Sequence, residues 1–387
     1  PFDRTLSVAG KFGGGHETLE YLPRVTSGTL TFIVTLADGA ANPLGSGTAS
    51  VALAAHKSVA LPLSIGAPIG DGGGGDDLST AGGDLSTSAP DMTMPCAAIQ
   101  VSTLAGTGAA GYVDGAGNIA QFDTAEGITA DASGTLYVAE ASHLRKVLAD
   151  GTVSTLSPGF LQARRVSCNA LGTCFVADSA NDQIYSVTSG GTKASAIVQG
   201  GVITVATNPQ QVGRAYLWDT QTANIQYQDP GMSLMLYSGS GSGFADGAAG
   251  VAKYSDVPDL VFDSAGVLWV ADSGNFRVRK VLSDGSVTTL AGSATQGSVD
   301  GTGAAAEFDT LAGITIDNAG HRLFVTDDFT VRMITQAGAV STIVGSTSGL
   351  VDGNGCIAKL GAPKGITYFA GALYVFDVER IRKIVLP

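Results

Sequence analysis

The sequence has few charged residues, and basic residues are the scarcer kind. Charged residues make up 14% of 387 positions, against about a quarter in typical soluble domains. The 21 Lys and Arg are outnumbered by 34 Asp and Glu, giving a formal net charge of −13. Because nucleic-acid affinity comes largely from Lys and Arg that replace counterions on phosphates, this balance argues against a nucleic-acid partner.

Long apolar runs and long helical patterns are also lacking. No run approaches the roughly 18 apolar residues that a membrane span requires, and the first residue, Pro1, is interpreted as a processed or truncated start. What is abundant is Gly, with 54 residues, alongside short runs of Val, Leu, Ile and Ala. Short apolar runs separated by Gly, Asp, Ser and Asn are typical of an all-β protein.

Residues 1–69 alternate apolar and other residues, as half-buried strands require. The alternating positions are Leu30, Phe32, Val34 and Leu36, then Ala49, Val51 and Leu53, then Val59, Leu61, Leu63 and Ile65. Asp38-Gly39 and Gly45-Ser46-Gly47 are the predicted turns. We predict a small β-sandwich-like domain with a marginal core here. Residues 70–97, rich in Gly, Asp, Ser and Thr, are predicted to be a linker because they can bury little apolar surface.

The rest of the chain, residues 98–387, is internally periodic. A short strand that starts with an aromatic residue and ends with an acid recurs six times, at residues 137–140 (YVAE), 175–178 (FVAD), 216–219 (YLWD), 269–272 (WVAD), 324–327 (FVTD) and 374–377 (YVFD). The acids are 38, 41, 53, 55 and 50 residues apart, near the roughly 40–50 residues of a four-stranded propeller blade. The period therefore predicts a six-bladed β-propeller.

The strong repeats also carry an earlier strand, such as residues 127–131 (GITAD), and a later basic strand, such as residues 277–280 (RVRK). Residues 113–156, VDGAGNIAQFDTAEGITADASGTLYVAEASHLRKVLADGTVSTL, resemble an NHL repeat, and the resemblance covers roughly residues 98–387. It implies an NHL-like six-bladed propeller. The units around Phe175 and Tyr216 are degenerate, and the latter has Gln226 where other units have Arg.

The last repeat ends without an outer strand, after residues 380–385. Residues 101–106 (VSTLAG), which precede the first full repeat, read like the outer strand at residues 340–345 (VSTIVG). Because a propeller hides its sheet edges by joining its first and last blades, we predict that residues 101–106 pair with residues 381–385.

Two recurring sets of acids are candidates for a ligand-binding face. One set begins Asp-Gly pairs in the loops between blades and comprises Asp114, Asp246, Asp300 and Asp352. The other ends the repeated strands and comprises Glu140, Asp178, Asp219, Asp272, Asp327 and Asp377. Convergent carboxylates could bind Ca²⁺ or another ligand. Recurrence in nearly every blade instead favours turn capping and pairing with the recurring Arg145, Arg279, Arg332 and Arg382.

Six-bladed enzymes that resemble this fold, the amidating lyases and the lactonases, depend on bound metal, and the lyases use several His around the central channel. This propeller has only His143 and His321, which are not at ligand spacing. We therefore predict no catalytic residue and no cofactor, with the identity of any metal left open.

The four cysteines fall into two candidate pairs. Cys168 and Cys174 flank a short hairpin within one blade, and ring closure would bring Cys96 to Cys356. Disulfides at Cys168–Cys174 and Cys96–Cys356 would suit an oxidising compartment, with buried thiols as the alternative.

These features favour a secreted or cell-surface, non-catalytic binding or scaffold propeller that presents an acidic loop face to a protein, a glycan or a cation-bearing ligand. One alternative is an extracellular structural subunit, of the filament or surface-layer type, that forms a homo-oligomer through its N-terminal β-domain. A second alternative is a metal-dependent lyase or hydrolase, which the missing ligand set disfavours. Fold analogy does not identify the ligand.

Overall fold

The computed structural model describes residues 28–37, 43–53, 96–198, 200–319 and 321–387. The chain divides into two units, Pro1–Ser88 and Ala89–Pro387. In the first unit the described residues are two antiparallel strands, Gly28–Ala37 and Pro43–Leu53, which place Leu30 opposite Val51. The third alternating run, at residues 59–65, and the predicted linker up to residue 95 lie outside the described residues.

One turn prediction in this first unit was wrong. Gly45-Ser46-Gly47 lies inside the strand Pro43–Leu53, opposite residues 34–36. Glycine reaches extended backbone as readily as turn conformations, so the three residues continue the ladder.

The second unit is a six-bladed β-propeller built from four-stranded antiparallel sheets. Blade 1 consists of Ala125–Ala130, Leu136–Glu140, His143–Val147 and Val153–Pro158, blade 2 of Ala163–Cys168, Cys174–Asp178, Gln183–Val187 and Lys193–Val198, and blade 3 of Val202–Thr207, Ala215–Asp219, Asn224–Gln228 and Met235–Ser238. Blade 4 consists of Asp259–Phe262, Leu268–Asp272, Arg277–Val281 and Val287–Ala291, blade 5 of Leu311–Asp317, Arg322–Asp327, Thr330–Thr335 and Ala339–Val344, and blade 6 of Pro363–Phe369, Ala372–Asp377, Ile381–Val385 and Gln100–Ala105. Short 3₁₀ turns occur at Cys96–Ala98, Ser273–Asn275 and Gly303–Ala305. We number the strands of a blade from first, at the channel, to fourth, at the rim.

The predicted closure is confirmed. Gln100–Ala105 is the fourth strand of blade 6, with Ile381 opposite Ala105 and Ile384 opposite Val101. Nearby, Cys96 is bonded to Cys356, with their Cα atoms 5.0 Å apart. The second predicted pair, Cys168–Cys174, joins facing residues of the first two strands of blade 2. The first disulfide ties the segment before the closing strand to the loop that enters blade 6, and the second crosses one hairpin of blade 2.

Four blades carry extra pairing on their rim strand. Two-residue strands, Gly301–Thr302 and Gly353–Asn354, pair with the fourth strands of blades 5 and 6. Gly115 and Gly247 form the equivalent bridges to the fourth strands of blades 1 and 4. Within the described residues, the rim strands of blades 2 and 3 have no such cover, so these two neighbouring blades expose open sheet edges.

The core lies between neighbouring blades. The second strand is buried at every position in blades 1–4 and 6, for example in Leu268–Asp272, because it is covered on both faces. Its leading aromatic side chain packs against the next blade, as Trp269 packs on Ile316 and Leu323. Removing these side chains from water supplies the main stabilisation of each blade-to-blade interface. No helix within the described residues is long and apolar enough to cross a membrane.

Candidate functional site

Strand direction assigns every connection to one of two faces. One face carries the inter-blade loops and the turns between second and third strands, and we call it the loop face. The opposite face carries the hairpins between first and second strands and between third and fourth strands, and we call it the turn face. Both predicted acid sets are on the loop face, since Asp300 is in an inter-blade loop and Asp327 ends a second strand. The expectation that the two sets share one face is therefore met by the strand order.

In blade 5 the two acids bind one buried arginine. Arg332 has no exposed surface. Its Nη1 donates to Oδ2 of Asp327 at 2.8 Å, and its Nη2 donates to Oδ1 of Asp300 at 2.7 Å. The same two nitrogens donate to the carbonyls of Glu307 and Val299. The guanidinium thus ties the end of the second strand to the loop that enters the blade.

The other oxygen of Asp300 completes the unit. Oδ2 accepts the backbone N–H of Thr342 at 2.9 Å, and the Thr342 hydroxyl donates to Oδ1 at 3.0 Å. We call this set of Arg, strand-end acid, loop Asp and rim-strand Thr the arginine clamp. It spans three strands and the loop, so it fixes the loop on the blade.

Four blades have this clamp. Its members are Arg145, Glu140, Asp114 and Thr155 in blade 1; Arg279, Asp272, Asp246 and Thr289 in blade 4; Arg332, Asp327, Asp300 and Thr342 in blade 5; and Arg382, Asp377, Asp352 and Thr103 in blade 6. In blade 6 the Thr comes from the closing strand, so this clamp also locks the ring. The Arg position is Tyr185 in blade 2 and Gln226 in blade 3, because these residues face the same site on the second strand.

The strand-end acids have no exposed surface, and four of them pair with the recurring Arg, the role that their recurrence favoured. All six are 0% exposed: Glu140, Asp178, Asp219, Asp272, Asp327 and Asp377. In blades 1, 4, 5 and 6 the strand-end acid binds the clamp Arg. In blade 2, which has no clamp Arg, Asp178 accepts the N–H groups of Leu161 and Gln162 at 3.0 and 2.8 Å. Their recurrence reflects the blade architecture.

The loop aspartates remain accessible but are already bonded. The side chains of Asp114, Asp246, Asp300 and Asp352 are 41–49% exposed, and each contacts its clamp Arg at 2.6–2.7 Å. At Asp114, burial works to raise the pKa, but the Thr155 N–H and the Arg145 guanidinium outweigh it and lower the pKa. The four loops therefore present fixed, partly neutralised carboxylates.

The two histidines lie on opposite faces of the ring. His143 begins the third strand of blade 1 on the loop face, where its Nδ1 is 2.8 Å from the Ser142 hydroxyl and its ring contacts Tyr112. His321 lies in the first hairpin of blade 5, on the turn face. Within the described residues, no group of three or more His, Cys, Asp or Glu is placed to hold a metal ion.

An arginine that sequence reasoning missed lies across the central channel. Arg165, from the first strand of blade 2, is 6% exposed. Its guanidinium donates to the carbonyls of Glu126 in blade 1, Pro258 in blade 4 and Ala312 in blade 5. One side chain thus joins four of the six blades across the axis.

A buried carboxylate accompanies this arginine. Asp259 Oδ1 lies 3.6 Å from Arg165 Nε, and Oδ2 accepts the Ile314 N–H at 3.0 Å. Burial raises the pKa of Asp259 against the opposing effect of Arg165. The available sequence signal was Arg165 itself, at the strand position that is Gly127 in blade 1 and Gly313 in blade 5.

At the loop-face mouth of the channel, acidic and basic side chains lie next to one another. Glu126 accepts from Arg164 at 2.9 Å and lies 3.7 Å from Lys364 Nζ. A recess of about 280 Å³ adjoins them, lined also by Phe376 and Glu379. The mouth is therefore of mixed charge, which differs from the uniformly negative mouth that a ring of acids would give.

Solved structures of other proteins share this fold. A protein of unknown function from Bacteroides thetaiotaomicron is 19% identical over 93% of this chain and 90% of its own, with a TM-score of 0.64. An auxiliary nutrient binding protein from Bacteroides ovatus is 21% identical over 75% of this chain and 77% of its own, with a TM-score of 0.61. A gluconolactonase from Xanthomonas campestris is 13% identical over 75% of this chain and 90% of its own, with a TM-score of 0.52.

At these identities the similarity establishes the fold and no activity. No protein-family model matches the sequence, and no curated protein sequence matches it. The class that fold and comparisons define together is the six-bladed β-propeller.

Proposed function

We propose that this chain is an extracytoplasmic, non-catalytic binding propeller of the NHL-repeat type. The observation that carries the proposal is the Arg165 side chain that lies across the channel. In metal-dependent propellers the channel holds the cation, whereas here the Arg165 guanidinium occupies the axis with Asp259 as its counterion. A fixed internal cation opposes the entry of a metal ion by charge and by volume.

Two further observations support the proposal. The disulfides Cys96–Cys356 and Cys168–Cys174 suit a secreted or cell-surface protein, because such bonds persist in oxidising compartments. The arginine clamp recurs in the four blades whose sequences resemble NHL repeats. Structural neighbours described as auxiliary nutrient binding proteins are consistent with a binding role.

The non-catalytic part is tested by metal analysis and turnover. The purified full chain should hold no stoichiometric metal, should keep its melting temperature in EDTA, and should not hydrolyse a panel of lactones. One tightly held metal per chain, together with lactone hydrolysis that EDTA abolishes, would overturn the proposal. Arg165→Met, which vacates the axis, is the matched variant for asking whether the channel then takes up metal.

The binding part is tested on the loop face first. Asp114, Asp246, Asp300 and Asp352 are changed together to Asn, and Ca²⁺ is titrated against both proteins by calorimetry. Ca²⁺ binding that only the wild type shows would support a cation-bearing loop face. The absence of Ca²⁺ binding in the wild type would remove the cation from the ligand classes and leave protein and glycan.

Self-assembly is the second candidate function, favoured by apolar side chains around the loop face. Val113, Val299 and Val351 precede three clamp aspartates and are 43–49% exposed, and Ile119 and Ile357 are more exposed still. Repeated exposed apolar residues are typical of surfaces that contact protein. Sedimentation of the full chain at several concentrations tests this candidate: concentration-independent monomers would refute it.

A further inference from the structure

A cleft on the turn face between blades 3 and 4 is distinct from the clamps and from the channel. It has a volume of about 220 Å³. Blade 3 contributes its first hairpin and its two outer strands, and blade 4 contributes the tips of two hairpins. The lining side chains are Asn208, Gln211, Arg214, Tyr216, Tyr227, Leu236, Tyr237, Ser283 and Asp284.

Three tyrosines form the floor and walls of this cleft. Tyr216 is almost fully buried and packs against Tyr227 and Tyr237, with ring centroids 5.7 and 5.0 Å away. The rings of Tyr227 and Tyr237 are nearly perpendicular, at 87°. Such edge-to-face contacts hold aromatic rings in fixed orientations, so the cleft is formed before any ligand arrives.

Polar groups converge on the same space. Asn208 is only 6% exposed, and its Oδ1 accepts the Gln210 N–H at 2.9 Å. The Gln211 Oε1 accepts from the Tyr216 hydroxyl, from Arg214 Nη1 and, at 3.4 Å, from Asn208 Nδ2. Within the described residues no hydrogen bond is formed by the Gln211 Nε2. The cleft thus offers an amide donor on a side chain that is held through its Oε1, beside aromatic faces, the combination that binds a small polar ligand.

The charged side chains of the cleft favour a neutral ligand over a cationic or an anionic one. Arg214 binds Asp229 through two bonds of 2.8 Å, and its guanidinium carbon lies 4.0 Å from the Tyr227 ring centroid. A cationic ligand would need the same ring face, which the protein's own cation already occupies. An anionic ligand would meet Asp284 at the rim and an arginine already neutralised by Asp229. A neutral ring with several hydroxyls meets neither obstacle.

We propose that this cleft binds one neutral sugar ring, presented as a free end or side branch of an oligosaccharide. The volume is below the roughly 300–1,000 Å³ of pockets for drug-sized ligands, so it limits the occupant to one ring. The tyrosine faces would contact the C–H side of the sugar, and Asn208, Gln211 and Asp284 would bind its hydroxyls. The proposal rests on the proposed binding function and names its ligand class.

Blade 3 has the sequence features of a blade adapted to this role. It is one of the two blades without an arginine clamp, and its rim strand Met235–Ser238 is uncovered. Leu236, on that strand, is 51% exposed and lines the cleft. A blade without a loop-face clamp can vary its strands while the four blades with clamps hold the ring.

Calorimetric titration of the full chain tests the proposal. The probes are neutral tetrasaccharides of glucose, mannose, galactose and xylose, with tetragalacturonate as the anionic probe and tetramethylammonium as the cationic probe. We expect at least one neutral tetrasaccharide to bind. Tyr227→Ala should weaken that binding at least tenfold, and the matched control Tyr185→Ala, a tyrosine on the third strand of blade 2, should change it less than twofold.

A second variant guards against loss of folding. Leu236→Arg, at the exposed rim, should block the cleft and weaken binding at least tenfold without lowering the melting temperature. Binding that survives both Tyr227→Ala and Leu236→Arg would overturn the cleft and leave the binding propeller standing. Binding of none of the neutral sugars, or of only tetragalacturonate or tetramethylammonium, would overturn the sugar class.

Discussion

The arginine clamp of blade 5 should contribute several kcal/mol to the stability of the propeller. The change Arg332→Met keeps the length of the side chain and removes bonds to two carboxylates and two carbonyls. It leaves Asp327 buried without its cation. Removing one partner of a buried ion pair costs about 3–5 kcal/mol, which corresponds to a fall in melting temperature of roughly 6–15 °C.

The protein provides its own comparison in blade 3. Gln226 occupies the clamp position there, and its Nε2 donates to Asp219 Oδ2 at 3.1 Å. Arg332→Gln should therefore restore one hydrogen bond to Asp327 and cost about 1–2 kcal/mol less than Arg332→Met. Asp300→Asn, at a half-exposed position, should cost only about 1 kcal/mol.

The effect of pH gives a further check on the same variant. Burial raises the pKa of Asp327 and Arg332 opposes that rise. Without Arg332 the folded-state pKa should rise further above the unfolded value. When the folded state holds a proton that the unfolded state has released, that proton adds to the free energy of unfolding. This contribution is lost as the pH rises through the pKa of the folded state. The loss of unfolding free energy caused by Arg332→Met should therefore be larger at pH 8 than at pH 5.

Equilibrium unfolding in guanidinium chloride, with the disulfides intact, is the assay. Trp218 and Trp269 are each 2% exposed, so their fluorescence reports loss of the ring. Costs below about 1 kcal/mol for both Arg332→Met and Arg332→Gln would refute the clamp as a stabilising unit. Equal costs for Arg332→Gln and Arg332→Met would refute the comparison with Gln226.

Other predictions follow from closure, the disulfides, buried acids and the histidines. Deleting residues 97–106 should lower the melting temperature sharply and cause aggregation, because Ile381–Val385 loses its outer partner; an unchanged melting curve would contradict closure. Peptide mapping without reductant should find Cys168 bonded to Cys174, and replacing both by Ser should cost about 2 kcal/mol of unfolding free energy; two free thiols would contradict the bond. Burial raises the pKa of Glu140 to about 7 and that of Asp272 to about 6. Because the folded state then holds these protons more tightly than the unfolded state, the free energy of unfolding should be highest below the unfolded-state pKa and should fall between about pH 4.5 and 7. Denaturant unfolding across this pH range should show that decrease, and Glu140→Gln should reduce it. Replacing His143 and His321 together by Ala should leave ligand binding nearly unchanged in titration, and a loss of binding would show that one of them contacts ligand.

Some features of this propeller follow from local sequence alone. The strand ending in an acid recurs at blade spacing, since each blade folds mostly through hairpins between neighbours in the chain, and a repeat of hairpins is visible as a period. The closing strand could be predicted because residues 101–106 match the rim strands of other repeats. Cys96 and Cys356, 260 residues apart, could be paired only once that closure had been inferred.

Recurrence favoured pairing between the strand-end acids and Arg145, Arg279, Arg332 and Arg382, but only the tertiary structure decided how deeply these acids are buried and what Arg165 does. Recurrence marked Asp327, but burial depends on packing between blades, which removed all six strand-end acids from the surface. Arg165 meets Pro258 and Ala312, 93 and 147 residues away, so no periodicity could indicate it. The tyrosine cleft joins irregular parts of two blades for the same reason. A contact that every repeat makes leaves a periodic pattern in the sequence and can be predicted from it. A contact across the axis or between unlike blades occurs once and forms only when the ring is closed.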